Sequence, residues 1–256
     1  MTIKWFNNDE FHERKNAKSV KKSAFYALVD DRRNQITEAK YEFINDFQPN
    51  SLAVAGFKGR QGIIDKEGNE VTEFKYYWID PFDENGIARV GIGTKHGLIN
   101  EKGKELTKIK YDYIWKFRSN RLAKFELNGR YGLLDKNGKE VVKAKYDSIG
   151  VFQKNGLAIV KLKGKYGLIN EDGKEVVSLK YESIANFQGN GLAIVRFAGK
   201  YGLIDQEGNE VVEPKYTIMY EFNRGLAKVI ISGKCGSIDE NGNEVVKPGN
   251  QHWTEI

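Results

Sequence analysis

Short apolar runs rich in β-branched residues alternate along the chain with polar segments that carry glycine, and the alternation keeps a fixed period. Leu157 to Leu162 is one such run, and its length and composition predict a strand. Lys163-Gly164 predicts a tight turn, and Tyr166 to Ile169 a second strand. In Asn170-Glu171-Asp172-Gly173, asparagine stands first and glycine fourth, the signature of a type I turn closed by a left-handed glycine. Glu175-Val176-Val177 opens a third strand, and Lys180 to Ile184 predicts a fourth. No stretch keeps the spacing of an amphipathic helix over several turns. The expected class is all-β.

The same pattern returns throughout. The glycine of the second strand recurs at Gly62, Gly97, Gly132, Gly167, Gly202 and Gly236, in steps of 35, 35, 35, 35 and 34. Phe47, Phe82, Phe117, Phe152, Phe187 and Phe222 stand 35 apart, as do Tyr41, Tyr76, Tyr111, Tyr146, Tyr181 and Tyr216. Ala27 lies one period before Gly62, so a degenerate first repeat precedes six clear ones. A repeat this short cannot bury its apolar face alone, so neighbours must stack and share a core. The strand glycine, preceded by Tyr131, Tyr166 and Tyr201 in three repeats, is read as close packing against the next repeat. The expectation is a tandem array of about seven antiparallel β-hairpin units of 35 residues. An open β-solenoid is favoured over a closed propeller-like ring. The end repeats are degenerate, with Ala27 at one end and Lys247-Pro248-Gly249 at the other, and open arrays need such caps. Residues 1–22 are read as an N-terminal cap or arm, with Trp5, Phe6 and Phe11 covering the first repeat and Lys15 to Lys22 in solvent. Residues 23–247 form the repeat domain, and 248–256 a tail in which Trp253 caps the other end.

The composite GLAxVxxxGKYGLIDxxGxEVVxxKYxxIxxF, drawn from these repeats, resembles the WG repeat of bacteria, also called the KWG repeat. The resemblance covers roughly residues 23–247. It implies a structural class of tandem β-repeats that serves interactions, and it brings no reaction, cofactor or catalytic residue with it. The tryptophan that names the family is replaced here by Gln61, His96, Tyr131, Tyr166, Tyr201 and Cys235.

Composition narrows the chemistry. Hydrophobic residues make up 40% and charged residues 30% of the 256, enough apolar surface for a sizeable core. Cys235 is the single cysteine, which excludes an internal disulfide framework and any multi-cysteine metal site. The first twenty residues have no apolar core of a signal peptide, so a cytoplasmic, reducing location is expected. No apolar run is long enough for a membrane helix, so no membrane partner is expected. His12, His96 and His252 show no ligand spacing; His96 sits at the aromatic repeat position, where packing is the simpler role, and Cys235 shares that position. Gly91-Ile92-Gly93-Thr94-Lys95-His96-Gly97 lies between strands rather than before a helix, so it is no phosphate loop. The columns Glu70, Glu105, Glu140, Glu175, Glu210, Glu244 and Lys75, Lys110, Lys145, Lys180, Lys215 are read as strand-end solvation and cross-strand ion pairs. No catalytic residue, metal site or cofactor is expected, and the protein is read as a non-enzyme.

Function is expected where a repeat breaks the pattern. Tyr77, Trp78, Tyr113 and Trp115 replace small or polar residues such as Ser148, Ser183, Gly150 and Ala185. Arg118, Arg121 and Arg130 follow, in a chain that otherwise mostly uses lysine. Tryptophan, tyrosine and arginine dominate binding hot spots. These seven residues are the candidate partner-binding face, with Met219, Tyr220 and Arg224 a second, weaker candidate. The expected function is a repeat scaffold that binds a macromolecule, foremost a protein, with a toxin inhibitor or immunity protein as the specific version. A net charge of +6 motivates a rival, binding of an anionic polymer such as nucleic acid. The charges are spread and mixed in sign, which argues against it. An enzyme with a site assembled from loops ranks last, and the oligomeric state is left open.

Overall fold

One repeat of the computed structural model shows how the sequence pattern becomes a sheet. Leu157–Leu162 and Lys165–Asn170 form an antiparallel hairpin in continuous register from Leu157↔Asn170 to Leu162↔Lys165. The turn between them has positive φ at Lys163 (50°) and Gly164 (77°), the geometry that matches the strands' right-handed twist. Asn170 and Gly173 then close the predicted turn: the Gly173 N–H donates to the Asn170 carbonyl at 2.9 Å, with φ of 76° at Gly173. Glu175–Tyr181 is the third long strand.

The predicted fourth strand, Lys180 to Ile184, is divided between two sheets. Tyr181 ends the third strand, whereas Ser183–Ile184 pairs with Arg196 and Val195 and so opens the following sheet. The cause is the intervening Glu182, whose N–H donates to the Arg196 carbonyl at 2.7 Å, so the chain has already crossed. Each sheet from residue 43 onward thus begins with a two-residue strand inherited from the end of the sequence repeat. In 148–181, 183–216 and 218–249 the strand order follows the sequence, with four strands each.

The repeats 43–65 and 78–100 have only three strands, and the reason is a threonine. Thr72 and Thr107 are buried, and their hydroxyls accept the N–H of Ile63 at 2.9 Å and of Leu98 at 3.0 Å. Valine fills this place in later repeats (Val177, Val212), where it pairs across the sheet with Leu168 or Leu203. A threonine side chain that caps the strand N–H replaces the ladder and breaks the third strand into isolated bridges such as Gln61↔Tyr76.

The first two long strands of the repeat carry buried residues on both faces, which explains their near-continuous apolar runs, whereas the third alternates buried and exposed positions. One core joins Leu157, Leu168 and Val177 of one sheet to Ala193, Val195 and Ile204 of the next. The equivalent cores join Leu52, Val54 and Ile63 to Ala88, Val90 and Ile99, and Leu192, Leu203 and Val212 to Ala227, Val229 and Ile238. Tyr76, Tyr181 and Tyr216 lie in these cores.

The strand glycine has a different cause from the one expected. A Cβ on Gly167 would meet the Val177 carbonyl oxygen at 2.5 Å, within its own sheet, where the register shifts between Tyr166 and Leu168. It is the turn glycine that packs on a neighbouring repeat: a Cβ on Gly173 would meet Val142 Cγ2 at 2.6 Å.

The structure describes residues 3–7, 10–12, 25–32 and 34–249, the first two segments by their backbone alone. Ile3–Asn7 and Glu10–His12 form a hairpin whose first strand pairs with Tyr26–Leu28. The side chains of Trp5, Phe6, Phe11 and His12, the stretch from Lys15 to Lys22, and His252 and Trp253 lie outside the described residues. The chain divides into two compact bodies, Met1–Asn128 with Leu134–Glu140, and Gly129–Leu133 with Val141–Ile256. Among the described residues there is no helix, hence none long and apolar enough to cross a membrane.

Candidate interaction site

Two short strands, Trp78–Ile79 and Tyr113–Ile114, carry the aromatic residues that break the repeat pattern. Trp78 lies opposite Gly91, and a Cβ on Gly91 would meet the indole at 2.2 Å, so this glycine makes room for the ring. From Trp78 the rings run on in sequence: His96 at 4.8 Å, Tyr113 a further 5.0 Å away, and Trp115 4.7 Å beyond, all tilted or edge-to-face. Tyr113 is exposed, while Trp78, His96 and Trp115 are half-buried.

Cations border this ladder. Arg89 ion-pairs with Asp80 and donates to the Ile114 carbonyl at 2.8 Å and the Tyr113 hydroxyl at 3.3 Å. Lys124 lies 4.6 Å from the Trp115 ring centroid. Burial lowers the Lys124 ammonium's pKa, and the nearby positive charge of Arg118 lowers it further. Burial also holds His96 below the ordinary imidazole range, with Arg89 adding to the effect, and its buried Nδ1 has no hydrogen-bond partner. His96 therefore serves as a neutral ring in a stack, the packing role the sequence suggested.

Beside the ladder is a cleft of about 270 Å³, lined by Asp80, Pro81, Phe82, Asp83, Ile87, Arg89, Leu98, Trp115, Lys116 and Phe117. Of the sequence candidates, Trp78, Tyr113 and Trp115 join one ring ladder, and Trp115 also walls the cleft. Tyr77 is exposed and stacks instead under Arg60, whose guanidinium carbon is 4.2 Å from its centroid. Arg118 and Arg121 are exposed, with Arg121 at a φ of 60° in its turn. Arg130 belongs to the other body, where it ion-pairs with Asp147. In the second candidate group Met219 is a core residue, 7% exposed, and Tyr220 is exposed with Lys228 5.7 Å from its ring.

Sequence reading missed Asp80, Arg89 and Lys124. A signal was present in the repeat register: the N–H of residue 80 donates to the carbonyl of 89, 115 to 124, 150 to 159, 185 to 194 and 220 to 228. These cross-strand partners change together, as Asp–Arg, Trp–Lys, Gly–Ile, Ala–Ile and Tyr–Lys.

The charged columns also join neighbouring repeats rather than strands of one sheet. Lys180 Nζ and the Tyr181 hydroxyl both reach Glu210 Oε1, at 2.8 and 2.7 Å. The same clamp links Lys110 and Tyr111 to Glu140, and Lys145 and Tyr146 to Glu175, at 2.8 to 3.1 Å. Among the described residues no group of three or more metal-ligating side chains converges.

A description of this repeat, "WG containing repeat", matches residues 62–95, 97–131, 131–166, 166–201 and 201–235, well over half the chain. The chain belongs to the WG-repeat family. No curated protein matches it. Among solved structures, it is similar to Hsv2p of Kluyveromyces lactis, at 11% identity over 81% of this chain and 78% of that one, with a TM-score of 0.31. A crystal structure of a eukaryotic initiation factor aligns at 10% identity over 88% and 71%, TM-score 0.34. PorZ of the Porphyromonas gingivalis type-IX secretion system aligns at 9% identity over 85% of this chain but 33% of its own, TM-score 0.31. In this WG-repeat protein Trp78 lies in the first matched repeat, Tyr113 and Trp115 in the second, and His96 between the two.

Proposed function

We propose that this WG-repeat protein is a non-enzymatic scaffold that binds another protein through the ladder face around Trp115. The observation that carries the reading is the run Trp78, His96, Tyr113, Trp115, bordered by Arg89, Lys124 and Arg118 and opening beside a cleft. Aromatic and arginine side chains beside a pocket are the usual anchors of a protein interface. An inhibitor or immunity protein directed at a bacterial toxin is the specific version of this reading, set in a reducing, cytoplasmic location. The clamps support a protein over nucleic acid, because Lys40, Lys75, Lys110, Lys145 and Lys180 are each paired with a glutamate of the following repeat. The array is proposed to be an open solenoid of about seven repeats, supported by its degenerate ends; small-angle scattering that fits only a ring would refute this.

The test is affinity capture from the source organism's lysate with wild type and a Trp115→Ala, Arg118→Ala double variant. A stoichiometric protein retained by wild type and lost from the variant supports the reading. Equal capture by both, or no protein retained, overturns it. A saturable nucleic-acid titration at low salt would establish the rival instead.

A further inference from the structure

Three glutamines in this chain do work that the repeat alignment conceals. The side-chain oxygen of Gln48 accepts the main-chain N–H of Phe82, one repeat on, at 2.9 Å. Gln153 does the same for Phe187 at 2.8 Å, and Gln188 for Phe222 at 2.9 Å. Each carboxamide latches a loop to the recurrent phenylalanine of the following repeat and satisfies a donor that no strand ladder reaches.

Asp83 occupies this position in the next repeat, and its target would be Phe117. Its side chain is one methylene shorter, and it turns back on its own loop, where Oδ1 accepts the N–H of Asn85 at 2.9 Å and of Ile87 at 3.1 Å. The Phe117 N–H donates to no described residue. Both Asp83 and Phe117 line the cleft of about 270 Å³. The glutamine column is also broken at Arg118, whose target would be Phe152; at Asp83 the break opens onto the cleft.

We propose that the cleft receives a glutamine side chain of the protein partner, whose carboxamide oxygen takes the place of the absent latch on the Phe117 N–H. This rests on the protein-binding reading above. Phe82, Ile87, Trp115 and Phe117 supply apolar walls for the partner's methylenes. The charged lining residues, Asp80, Asp83, Arg89 and Lys116, balance in sign, and Asp80 is already paired with Arg89, so a neutral carboxamide suits the site better than an ion. The volume exceeds one such side chain, leaving space for the residue beside it.

The chain itself supplies the blocking variant. Asp83→Gln restores the latch that Gln48, Gln153 and Gln188 make. Its loop does not depend on Asp83, because Asn50, Asn155 and Asn190, at the position of Asn85, cap the N–H two residues on in the glutamine repeats. Asp83→Asn removes the charge but remains too short to latch, and is the control.

The experiment follows the Phe117 amide resonance of the full chain by ¹⁵N NMR while N-acetylglutamine N-methylamide is added, with the leucine analogue as a second probe. The expected result is a saturable downfield shift with the glutamine probe alone, kept in Asp83→Asn and weakened about tenfold or more in Asp83→Gln, where the internal carboxamide competes at high effective concentration. An unmoved Phe117 amide in wild type, the same shift with the leucine probe, or an undiminished response in Asp83→Gln each overturns the proposal. Because no partner enters this measurement, it fails independently of the capture experiment.

Discussion

Removing a single hydroxyl, by Tyr181→Phe, tests which part of the inter-repeat clamp holds the array together. The Tyr181 ring is fully buried and meets Phe197 edge-on at 6.3 Å, so phenylalanine keeps all of its packing. What is lost is the bond to Glu210 Oε1 at 2.7 Å. A hydrogen bond to a charged group contributes about 1.5–3 kcal/mol, and the partial exposure of Glu210 lets water replace part of it, so the expected cost is about 1–2 kcal/mol. Burial, then Glu210, pushes the Tyr181 phenol up to about 12, so it remains a donor across the neutral range. The first repeat provides the comparison. There the Tyr41 hydroxyl is buried but makes no bond to Glu70, so Tyr41→Phe should change stability by less than about 0.5 kcal/mol. Lys180→Met removes the solvent-facing ion pair and should cost less than about 1 kcal/mol. Urea midpoints at unchanged m-value give all three numbers. Lys180 first, then Tyr181, hold the Glu210 carboxyl below its ordinary value of 4.5. The clamp is therefore fully formed above that pH and is lost as pH falls through the depressed value, and the Tyr181→Phe penalty should shrink in acid. Equal costs for Tyr41→Phe and Tyr181→Phe, or a larger cost for Lys180→Met, would refute the reasoning.

Gly164→Ala and Gly173→Ala start from nearly the same φ, 77° and 76°, but differ in what surrounds them. Nothing lies within 4 Å of a Cβ on Gly164, so that variant should cost only the backbone term, about 1 kcal/mol; Gly173→Ala should cost about 2 kcal/mol more, because the new methyl strikes Val142. Thermal melts of the two single variants measure the difference. His96 is held below the ordinary value of 6.5 by burial, so its neutral form is the one that folds. Its share of stability is complete above about pH 6.5 and declines as pH drops below that, and His96→Phe should flatten the decline in a urea series from pH 7.5 to 5.

Chain periodicity established the architecture because each hairpin is local. Lys163-Gly164 and the Asn170 to Gly173 turn depend on the φ of adjacent residues, and these formed as the sequence predicts. So did the apolar strands, since alternation and turn chemistry agree in every repeat. The candidate face was legible in part: Trp78, Tyr113 and Trp115 stand out as departures from the repeat and lie together, whereas Tyr77 and Arg130 stand out equally and do not join them.

A repeat shows which positions are equivalent, but not which of them touch. Only the tertiary structure placed Ser183–Ile184 in the following sheet, joined Tyr181 to Glu210 and Gln153 to Phe187, and opened a cleft beside Asp83. The Tyr181–Glu210 and Gln153–Phe187 contacts link residues about one repeat apart. Their geometry is set by how neighbouring sheets stack, which no local torsion or composition encodes.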